Sequence, residues 1–356
     1  MGEENEIIVK PALPQELRFY EEAVLHPELQ TWMPAYYGTL TLTHQQPQQS
    51  QTNGPTPTIK AMNGYPVSDM LSFKQQPDLA ANEQSQELLH HLTREEGAEA
   101  FTKGDKEDAE CLCLENVSHG FHKPCVLDLK LGTQLYDDDA TEEKKQRLAK
   151  VSAETTSASL GFRLTGFQIY DNDKKEFIKY SKHYGKGLTN DTVLDGFRNF
   201  FAAKLGPQRM RLVIERFISD LTDILATLET QEVRMRSSSL LLMYEGEPDA
   251  FDEGLMMEQE KIANVVAKAK VHLDQTTNGS DNGQHDNGYQ EMDIDEDSEY
   301  DEDDELAQKV TDLRLIDFAH STWTPGHGPD EGVLLGVRST LAQFEKLLTV
   351  DYPAEN

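Results

Sequence analysis

The chain has few of the residues on which several kinds of protein depend. Only three of its 356 residues are cysteines, and 33 lysines and arginines stand against 64 aspartates and glutamates, for a formal net charge of −31. Three cysteines do not make a disulfide framework, and without a second ligand pair they do not indicate a zinc site. So strong an acidic excess argues against direct binding of nucleic acid.

Long apolar runs are also missing. No run of about 18 apolar residues is present, and residues 1–10 are acidic and lack the apolar core of a signal peptide. We therefore predict a protein that is not integral to a membrane and resides in the nucleus and cytoplasm. In that reducing setting, Cys111, Cys113 and Cys125 are interpreted as small buried hydrophobic residues.

Two stretches are too polar to build a core. Residues 43 to about 108 are rich in Gln, Pro, Asn and Glu, and residues 252 to 308 end in the run Asp286–Glu305, which holds twelve acidic residues and no lysine or arginine. We predict a disordered insertion at each place. The remaining segments alternate between strand-like and helix-like patterns, which favours an α+β fold in two lobes, residues 1–117 and 118–356.

The segment Pro124–Gly132 reads as a buried strand that carries two charged residues. Residues two apart in a strand share a face, so Asp128 and Lys130 point into the same space together with Val126. An acid and a base on an apolar strand are costly unless they pair or bind a polyanion and its metal. Both readings stay open for this pair. Gly132 allows a sharp turn directly afterwards.

Two further charged residues occupy strand ends. Lys10 ends a short strand and precedes a helix that carries Glu16, so that it could neutralise nucleotide phosphates, although a solvated surface lysine fits the position as well. Asp317 follows the apolar strand 313–316, where a carboxylate suits Mg²⁺ that is also bound by phosphate oxygens.

A basic helix is predicted at residues 141–152. At about 100° per residue, Lys144, Arg147 and Lys150 lie within an arc of about 120°. Such a run is often only a solvated face, but here it is among the densest basic patches in an acidic chain. Lysine and arginine together suit a ligand with several phosphates.

The motifs P-x-x-x-D-x-K-x-G, S-S-L-L and I-D-F, preceded by the strand that ends at Lys10, resemble the signature of the inositol polyphosphate kinase family. The resemblance covers nearly the whole chain outside the two insertions, and it implies a two-lobed fold related to protein kinases that uses ATP and Mg²⁺. By this resemblance Lys10 contacts ATP, and the backbones of Glu115 and Val117 form the hinge that pairs with adenine. Ser238 either helps to position phosphate or metal or only caps its strand.

The same resemblance assigns the residues around the chemistry. Asp128 would contact the nucleotide or the reacting hydroxyl, Lys130 the transferring phosphate, and Asp317 the metal, while His320 would lie near the inositol. The helix with Lys144, Arg147 and Lys150 occupies the position of the family's inositol-binding helix.

The substrate follows from what is absent as well as from what is present. The chain has neither the glycine-rich G-x-G-x-x-G loop nor the H-R-D catalytic loop of protein kinases. Their absence argues against a protein substrate. Its two segments IIVKPALPQELRFY and VRMRSSSLLLMYEG resemble the multikinase branch of the family. That branch implies phosphorylation of inositol 1,4,5-trisphosphate at the 6- and 3-hydroxyls, with phosphoinositide lipid head groups as further candidates.

Three alternatives remain open at this point. The family also contains inositol trisphosphate 3-kinases and hexakisphosphate kinases, which share the core motifs. A different class of function is a nuclear interaction protein that binds transcription regulators through its acidic run.

Overall fold

The computed structural model describes residues 6–42, 58–60, 109–277 and 308–352. Its strands are β1 (Ile7–Pro11), β2 (Tyr36–Leu42), β3 (Thr58–Lys60), β4 (Ala109–Glu115), β5 (Pro124–Leu131), β6 (Phe162–Asp171), β7 (Glu176–Tyr180), β8 (Val233–Arg236), β9 (Ser239–Glu245), β10 (Thr311–Ile316) and β11 (His320–Trp323). Its helices are α1 (Pro14–Glu22), α2 (Pro27–Gln30), α3 (Glu142–Ala153), α4 (Thr156–Leu160), α5 (Lys182–Lys186), α6 (Val193–Phe200), α7 (Pro207–Thr230), α8 (Pro248–Thr277) and α9 (Glu331–Val350), with a 3₁₀ turn at Ala23–Leu25. The predicted α+β class is confirmed. None of these helices combines the length and the apolar composition that a membrane span requires.

The first sheet holds the N-terminal strands in the antiparallel order β1-β4-β2-β3. Helix α1 begins with a proline in its first turn, where the missing N–H costs nothing. Its Phe19 and Tyr20 pack on Phe318, which follows β10, with ring centroids 4.8 and 5.5 Å apart. These contacts fix β1 and its lysine against the residues that follow β10.

The second sheet has the order β10-β9-β5-β6-β7, and β5 at its centre is buried along its whole length. Leu127, Leu129 and Leu131 belong to the main core, whereas Val126 joins a separate apolar cluster on the opposite face. The predicted alternation along this strand is therefore confirmed. The first sheet ends at Glu115 and the second begins at Pro124, so the proposed lobe boundary at residue 117 falls between them and stays a prediction.

Helix α9 packs unusually closely against the backbone at the end of β5. A Cβ atom at Gly336 would lie 2.3 Å from the carbonyl oxygen of Gly161, so only glycine fits there. The same carbonyl accepts the N–H of Gly132 at 2.8 Å, and Gly132 has φ of 92°. The sharp turn predicted at Gly132 is present.

Two sequence expectations need correction. The pattern of residues 233–245 predicts one strand, but the chain breaks at Ser237, whose φ of 58° separates β8 from β9. β8 pairs with β11 as a two-stranded ribbon, and β9 pairs with β5 and β10. The break lets one run of sequence serve two sheets.

The second correction concerns the insertion predicted at residues 252 to 308. Residues up to Thr277 belong to helix α8, whose first turns are held by buried Phe251 and by ion pairs of Arg209 with Asp252 and of Arg216 with Glu258, both at 2.6 Å. The acidic run Asp286–Glu305 lies outside the described residues. So does the other predicted insertion at 43–108, apart from strand β3 within it, which pairs with β2.

Candidate active site

Two lysines and three carboxylates from distant parts of the chain form a compact cluster between the two large sheets. Asp317 Oδ2 lies 3.1 Å from Lys130 Nζ, and Asp317 Oδ1 lies 4.0 Å from Lys10 Nζ. Lys10 Nζ in turn lies 2.7 Å from Glu16 Oε1. Charges from β1, α1, β5 and the segment after β10 thus meet, as the sequence predicts for Lys10, Lys130 and Asp317.

Lys130 is held in place by the strand break described above. Its side chain is buried, and Nζ donates to the carbonyl oxygen of Ser237 at 2.7 Å as well as to Asp317. The left-handed conformation of Ser237 turns that carbonyl toward the lysine, and its own hydroxyl donates to the Leu135 carbonyl at 2.8 Å. A buried ammonium needs such partners, since an unpaired one would be very costly.

Lys10 and Glu16 form the outer part of the cluster. Burial lowers the pKa of Lys10, but the carboxylates of Glu16 and Asp317 outweigh it and hold the net pKa above its ordinary value. Burial raises the pKa of the Glu16 carboxyl, which Lys10 only partly offsets. Of the two readings of Lys10, the solvated surface lysine is wrong, because its side chain is 21% exposed and its partner Glu16 only 3%.

Asp317 adopts φ of 64° directly after β10, a conformation that directs its carboxylate toward both lysines. Burial raises the pKa of this carboxyl, but the charges of Lys130 and Lys10 prevail and leave the pKa below its ordinary value. Its side chain keeps 17% exposure. Asp317 is therefore a stable anion that solvent or a ligand can reach.

Asp128 differs from Asp317 in its exposure, its hydrogen bonding and the direction of its pKa shift. It is fully buried, and neither carboxylate oxygen has a hydrogen-bond partner among the described residues. Burial raises the pKa of this carboxyl, Lys130 lowers it and Asp317 raises it further, for a net pKa above the ordinary value. The Ser239 hydroxyl lies near enough to favour the charged form, but not in good hydrogen-bond geometry.

The oxygens of this region fit a hard metal cation. Ser238 and Ser239 are fully buried, and their hydroxyls, like the carboxylate of Asp128, have no hydrogen-bond partner within the part of the chain described. Within those same residues, no set of three or more His, Cys, Asp or Glu side chains is arranged to hold a metal by itself. Mg²⁺ matches this arrangement, because it usually takes only one or two carboxylates and completes its shell with water and phosphate oxygens.

The hinge predicted at Glu115 and Val117 lies beside an apolar patch. Val117, Val126, Leu241 and Met243 are buried together, with Phe121 and Ile316 packed against them. Leu241 lies opposite Asp128, and Met243 opposite Val126, in the pairing of β9 with β5. The patch therefore adjoins the charged cluster on one face of the sheet, and a flat apolar ring suits it.

Side chains fasten the hinge to β10. The Glu115 carboxylate accepts the Ala35 N–H at 3.1 Å and lies 3.7 Å from both Lys309 Nζ and Arg314 Nη2. Lys309 Nζ also donates to the carbonyl oxygen of Val117 at 3.2 Å. The backbone roles predicted for Glu115 and Val117 stay predictions.

The basic helix is confirmed as α3, capped by Thr141, whose hydroxyl accepts the Lys144 N–H at 3.3 Å. Arg147 and Lys150 are exposed and Lys144 is partly exposed, while Lys150 lies 3.7 Å from Glu154. The helix is tied to the turn after β5 by the Ser152 hydroxyl, which donates to the Thr133 carbonyl at 2.6 Å. No described contact joins these three cations to the cluster, so their role stays a prediction.

His320 lies in β11, three residues after Asp317, and its Nδ1 is 3.4 Å from Asp137 Oδ2. Sequence reasoning missed its cross-strand neighbour Arg236. It also missed the apolar residues Leu241, Met243 and Ile316. The position of Arg236 directly before the three serines could have identified it as a site residue. The apolar residues could not have been identified, because their pattern is that of any core strand.

A model of the inositol polyphosphate kinase family matches residues 111–345. Over 372 aligned residues the chain is 31% identical to the inositol polyphosphate multikinase of Saccharomyces cerevisiae, covering 96% of this chain and 92% of that protein. It is 32% identical to human inositol hexakisphosphate kinase 1 over 257 residues, which span 68% of this chain and 54% of that protein. The fold is similar to the crystal structure of an inositol phosphate multikinase from S. cerevisiae in complex with ADP and Mn²⁺, with a TM-score of 0.59, 28% identity, and 97% of this chain and 100% of that chain covered.

Proposed function

Because this chain belongs to the inositol polyphosphate kinase family, and is thus a kinase, we propose that it is a multikinase. It transfers the γ-phosphate of ATP to inositol 1,4,5-trisphosphate at the 6- and 3-hydroxyls, through a tetrakisphosphate to a pentakisphosphate. The observation that carries the proposal is the meeting of Lys10, Lys130 and Asp317 from three separate elements. Two cations and one reachable carboxylate suit a nucleotide triphosphate and its metal.

Each residue of the cluster receives a role that its surroundings allow. Lys10, oriented by Glu16, holds the nucleotide phosphates, and Lys130 neutralises the phosphate that is transferred. Glu115 and Val117 pair with adenine through their backbones above the apolar patch. Asp317, with Ser238 nearby, would hold the metal, which would supply positive charge to offset that of the phosphates.

Asp128 is assigned to the reacting hydroxyl. Its raised pKa makes it the more basic of the two aspartates, and its oxygens have no hydrogen-bond partner in the described residues. An acceptor of this kind can orient the hydroxyl and take its proton as the bond to phosphorus forms. In a loose in-line transfer, most of the catalysis comes from such positioning and from charge neutralisation.

ATP and Mg²⁺ are the proposed cofactors. The yeast multikinase of similar fold was crystallised with ADP and Mn²⁺. The orphaned hydroxyl oxygens of Ser238 and Ser239 and the reachable carboxylate of Asp317 are ligands that suit such a hard cation.

The inositol polyphosphate is proposed to lie between the cluster and helix α3. Lys144, Arg147 and Lys150 offer three cations on one helix, and His320 lies in β11, three residues after Asp317. A polyanion bound by an acidic protein needs such a local basic surface. Phosphoinositide lipid head groups carry the same phosphate pattern and are proposed as secondary substrates.

The multikinase assignment competes with relatives that share these motifs. An inositol trisphosphate 3-kinase would give a single 3-phosphorylated product, and a hexakisphosphate kinase would act on the fully phosphorylated ring. The similarity to human inositol hexakisphosphate kinase 1 spans only about half of that protein, whereas the similarity to the yeast multikinase spans nearly all of both chains. That difference in coverage favours the multikinase.

A substrate panel tests this directly. Purified protein with ATP and Mg²⁺ is incubated with each inositol phosphate in turn, and the products are separated by ion-exchange chromatography. We expect sequential tetrakis- and pentakisphosphate from the trisphosphate. A single 3-phosphorylated product, or activity on the hexakisphosphate alone, would refute the multikinase assignment.

A second function is proposed on composition alone. The run Asp286–Glu305 could bind basic nuclear transcription regulators, and the protein would then be present in the nucleus and the cytoplasm. Deleting the run from the full chain separates the two functions. Unchanged partner binding and transcription after the deletion would contradict the interaction role.

A further inference from the structure

The β8–β11 ribbon presents an arginine and a histidine at the edge of the cluster. Val233 and Met235 of β8 are buried, so Arg236 points to the opposite face, where its cross-strand neighbour is His320. Arg236 directly precedes Ser237, whose carbonyl holds Lys130. These positions place both side chains beside the residues assigned to phosphate transfer.

A loop between β5 and α3 sets a carboxylate against each of these two groups. Asp137 Oδ2 lies 3.4 Å from His320 Nδ1, and Asp138 Oδ2 lies 4.0 Å from Arg236 Nη2. Gln134 steadies the loop, since its amide donates to Asp138 Oδ1 at 2.9 Å and to the Tyr136 carbonyl at 3.1 Å. The chain thus holds its own anions where the anionic substrate is expected.

The two edges of the Arg236 guanidinium are used unequally. Nη1 donates to Asp330 at 3.2 Å, and Asp330 is buried and caps helix α9. Nε is buried and has no hydrogen-bond partner among the described residues, and Nη2 meets only Asp138 at a distance beyond hydrogen bonding. The Nε–Nη2 edge is one that can grip a phosphate with two parallel hydrogen bonds.

Asp138 binds the Nε–Nη2 edge of Arg236 only weakly. Its side chain is 77% exposed, and ion pairs of exposed groups contribute little. A phosphate group carries more charge than a carboxylate and can meet both donors at once, so it displaces Asp138 readily. A phosphate can displace Asp137, whose side chain is 24% exposed, from His320 in the same way.

We propose that Arg236 binds a phosphate of the inositol polyphosphate, and that Asp137 and Asp138 are displaceable carboxylates that this phosphate replaces. The inference rests on the proposed function and adds a specificity-determining residue and a device that weakens substrate binding. Affinity for the inositol phosphate is then set partly by the two carboxylates, while affinity for ATP is not.

The test uses three matched variants of the full chain, Asp137→Asn, Asp138→Asn and Asp139→Asn. Each removes one negative charge from the same loop, but Asp139 is exposed and has no described contact with His320 or Arg236. We expect the first two to lower KM for inositol 1,4,5-trisphosphate by about 1.5- to 5-fold, as for loss of an exposed ion pair. Asp139→Asn should lower it clearly less, and KM for ATP should not change in any of them.

A double-mutant cycle tests whether Asp138 acts through Arg236. Arg236→Gln should raise KM for the inositol phosphate, and in that background Asp138→Asn should no longer lower it. Thermal unfolding of Arg236→Gln shows whether the loss of the Asp330 contact disturbs the fold. Asp138→Asn changes an exposed residue and should leave the fold unaffected.

Two outcomes would overturn the inference while leaving the kinase intact. One is a KM in Asp137→Asn and Asp138→Asn that changes no more than in Asp139→Asn, or that rises. The other is an equal effect of Asp138→Asn with and without Arg236. A wild-type protein that phosphorylates no inositol phosphate would instead refute the proposed function, and this inference with it.

Discussion

Replacing Asp128 or Asp317 by asparagine should abolish activity in both cases but change thermal stability in opposite directions. The chemical change is the same, and both residues face Lys130. Their pKa values, however, are displaced in opposite senses, upward for Asp128 and downward for Asp317. The fold therefore disfavours the charge of Asp128 and favours that of Asp317.

The magnitudes follow from the contacts. Asp317→Asn removes the negative charge of the group that Lys130 reaches at 3.1 Å and leaves two lysines less compensated, at a cost of about 2–3 kcal/mol. Asp128→Asn removes a buried charge without hydrogen-bond partners in the described residues, for a gain of about 1 kcal/mol. At roughly 2–4 °C per kcal/mol for a domain of this size, Tm should fall by about 4–12 °C in the first variant and rise by about 2–4 °C in the second.

The pH dependence adds a second check on the signs. The stability that Asp317 contributes is present above the ordinary pKa of an aspartate and is lost only as the pH falls through its depressed folded pKa. The penalty from Asp128 is full at high pH and is relieved as the pH falls through its raised folded pKa. As the pH falls through the raised folded pKa of Asp128, the gain from Asp128→Asn should therefore shrink, while the loss from Asp317→Asn persists down to the depressed folded pKa of Asp317.

The assay is thermal unfolding in a chelating buffer without nucleotide, paired with turnover at saturating substrates. Asp191→Asn serves as the control, because Asp191 is exposed and has no described ion pair. Turnover should fall by orders of magnitude in the two site variants only. A Tm shift of the same sign in both site variants would refute the electrostatic account of the cluster.

Three other variants have distinct readouts. Lys10→Met should raise KM for ATP about 10- to 100-fold, the loss expected for one charge-assisted phosphate contact, with KM for inositol phosphate unchanged. Lys144→Ala with Arg147→Ala should raise KM for inositol phosphate and reduce its salt dependence. Asp220, in a groove of about 440 Å³ lined by none of the cluster residues, has a pKa that burial and the charges of nearby aspartates raise to about 6, from 3.8. Asp220→Asn should therefore stabilise the protein by about 1 kcal/mol at pH 8, an advantage that disappears as the pH falls toward 4.

Each of these predictions has a matched control. Adding Glu16→Gln to Lys10→Met should restore stability but not the KM for ATP, because it removes the buried carboxylate that Lys10→Met leaves without its partner. Lys145→Ala changes the same helix but a different face, and a KM effect as large as that of the double variant would contradict the role of α3. Asp223 is exposed, and the same pH-dependent gain in Asp223→Asn would contradict the cause assigned to Asp220.

Much of the cluster could be predicted because its parts are local in sequence. The alternation of Pro124–Leu131 fixes which side chains share a face, and β5 is buried along its whole length. Lys10 and Glu16 are six residues apart, and a proline between them starts the helix. The aspartate that directly follows β10 is likewise marked by the apolar residues before it.

The remaining features depend on pairings that no local pattern marks. One partner of Lys130 is the carbonyl oxygen of Ser237, which the left-handed conformation of Ser237 turns toward the lysine. A run of three serines does not predict that conformation. Arg236 meets His320 only because β11 is a strand of four residues that pairs with β8 across 84 positions. The composition predicts a polar insertion where most of helix α8 lies, because its many charged residues mask a helical segment anchored by buried Phe251.

The most direct test of the central claim measures ADP binding by calorimetry, with Mg²⁺ and with chelator, in the wild type, Asp317→Asn and Asp191→Asn. The account predicts that Mg²⁺ strengthens ADP binding in the wild type and in Asp191→Asn, and that this gain is lost in Asp317→Asn. An undiminished Mg²⁺ gain in Asp317→Asn would contradict the claim that this carboxylate holds the nucleotide's metal.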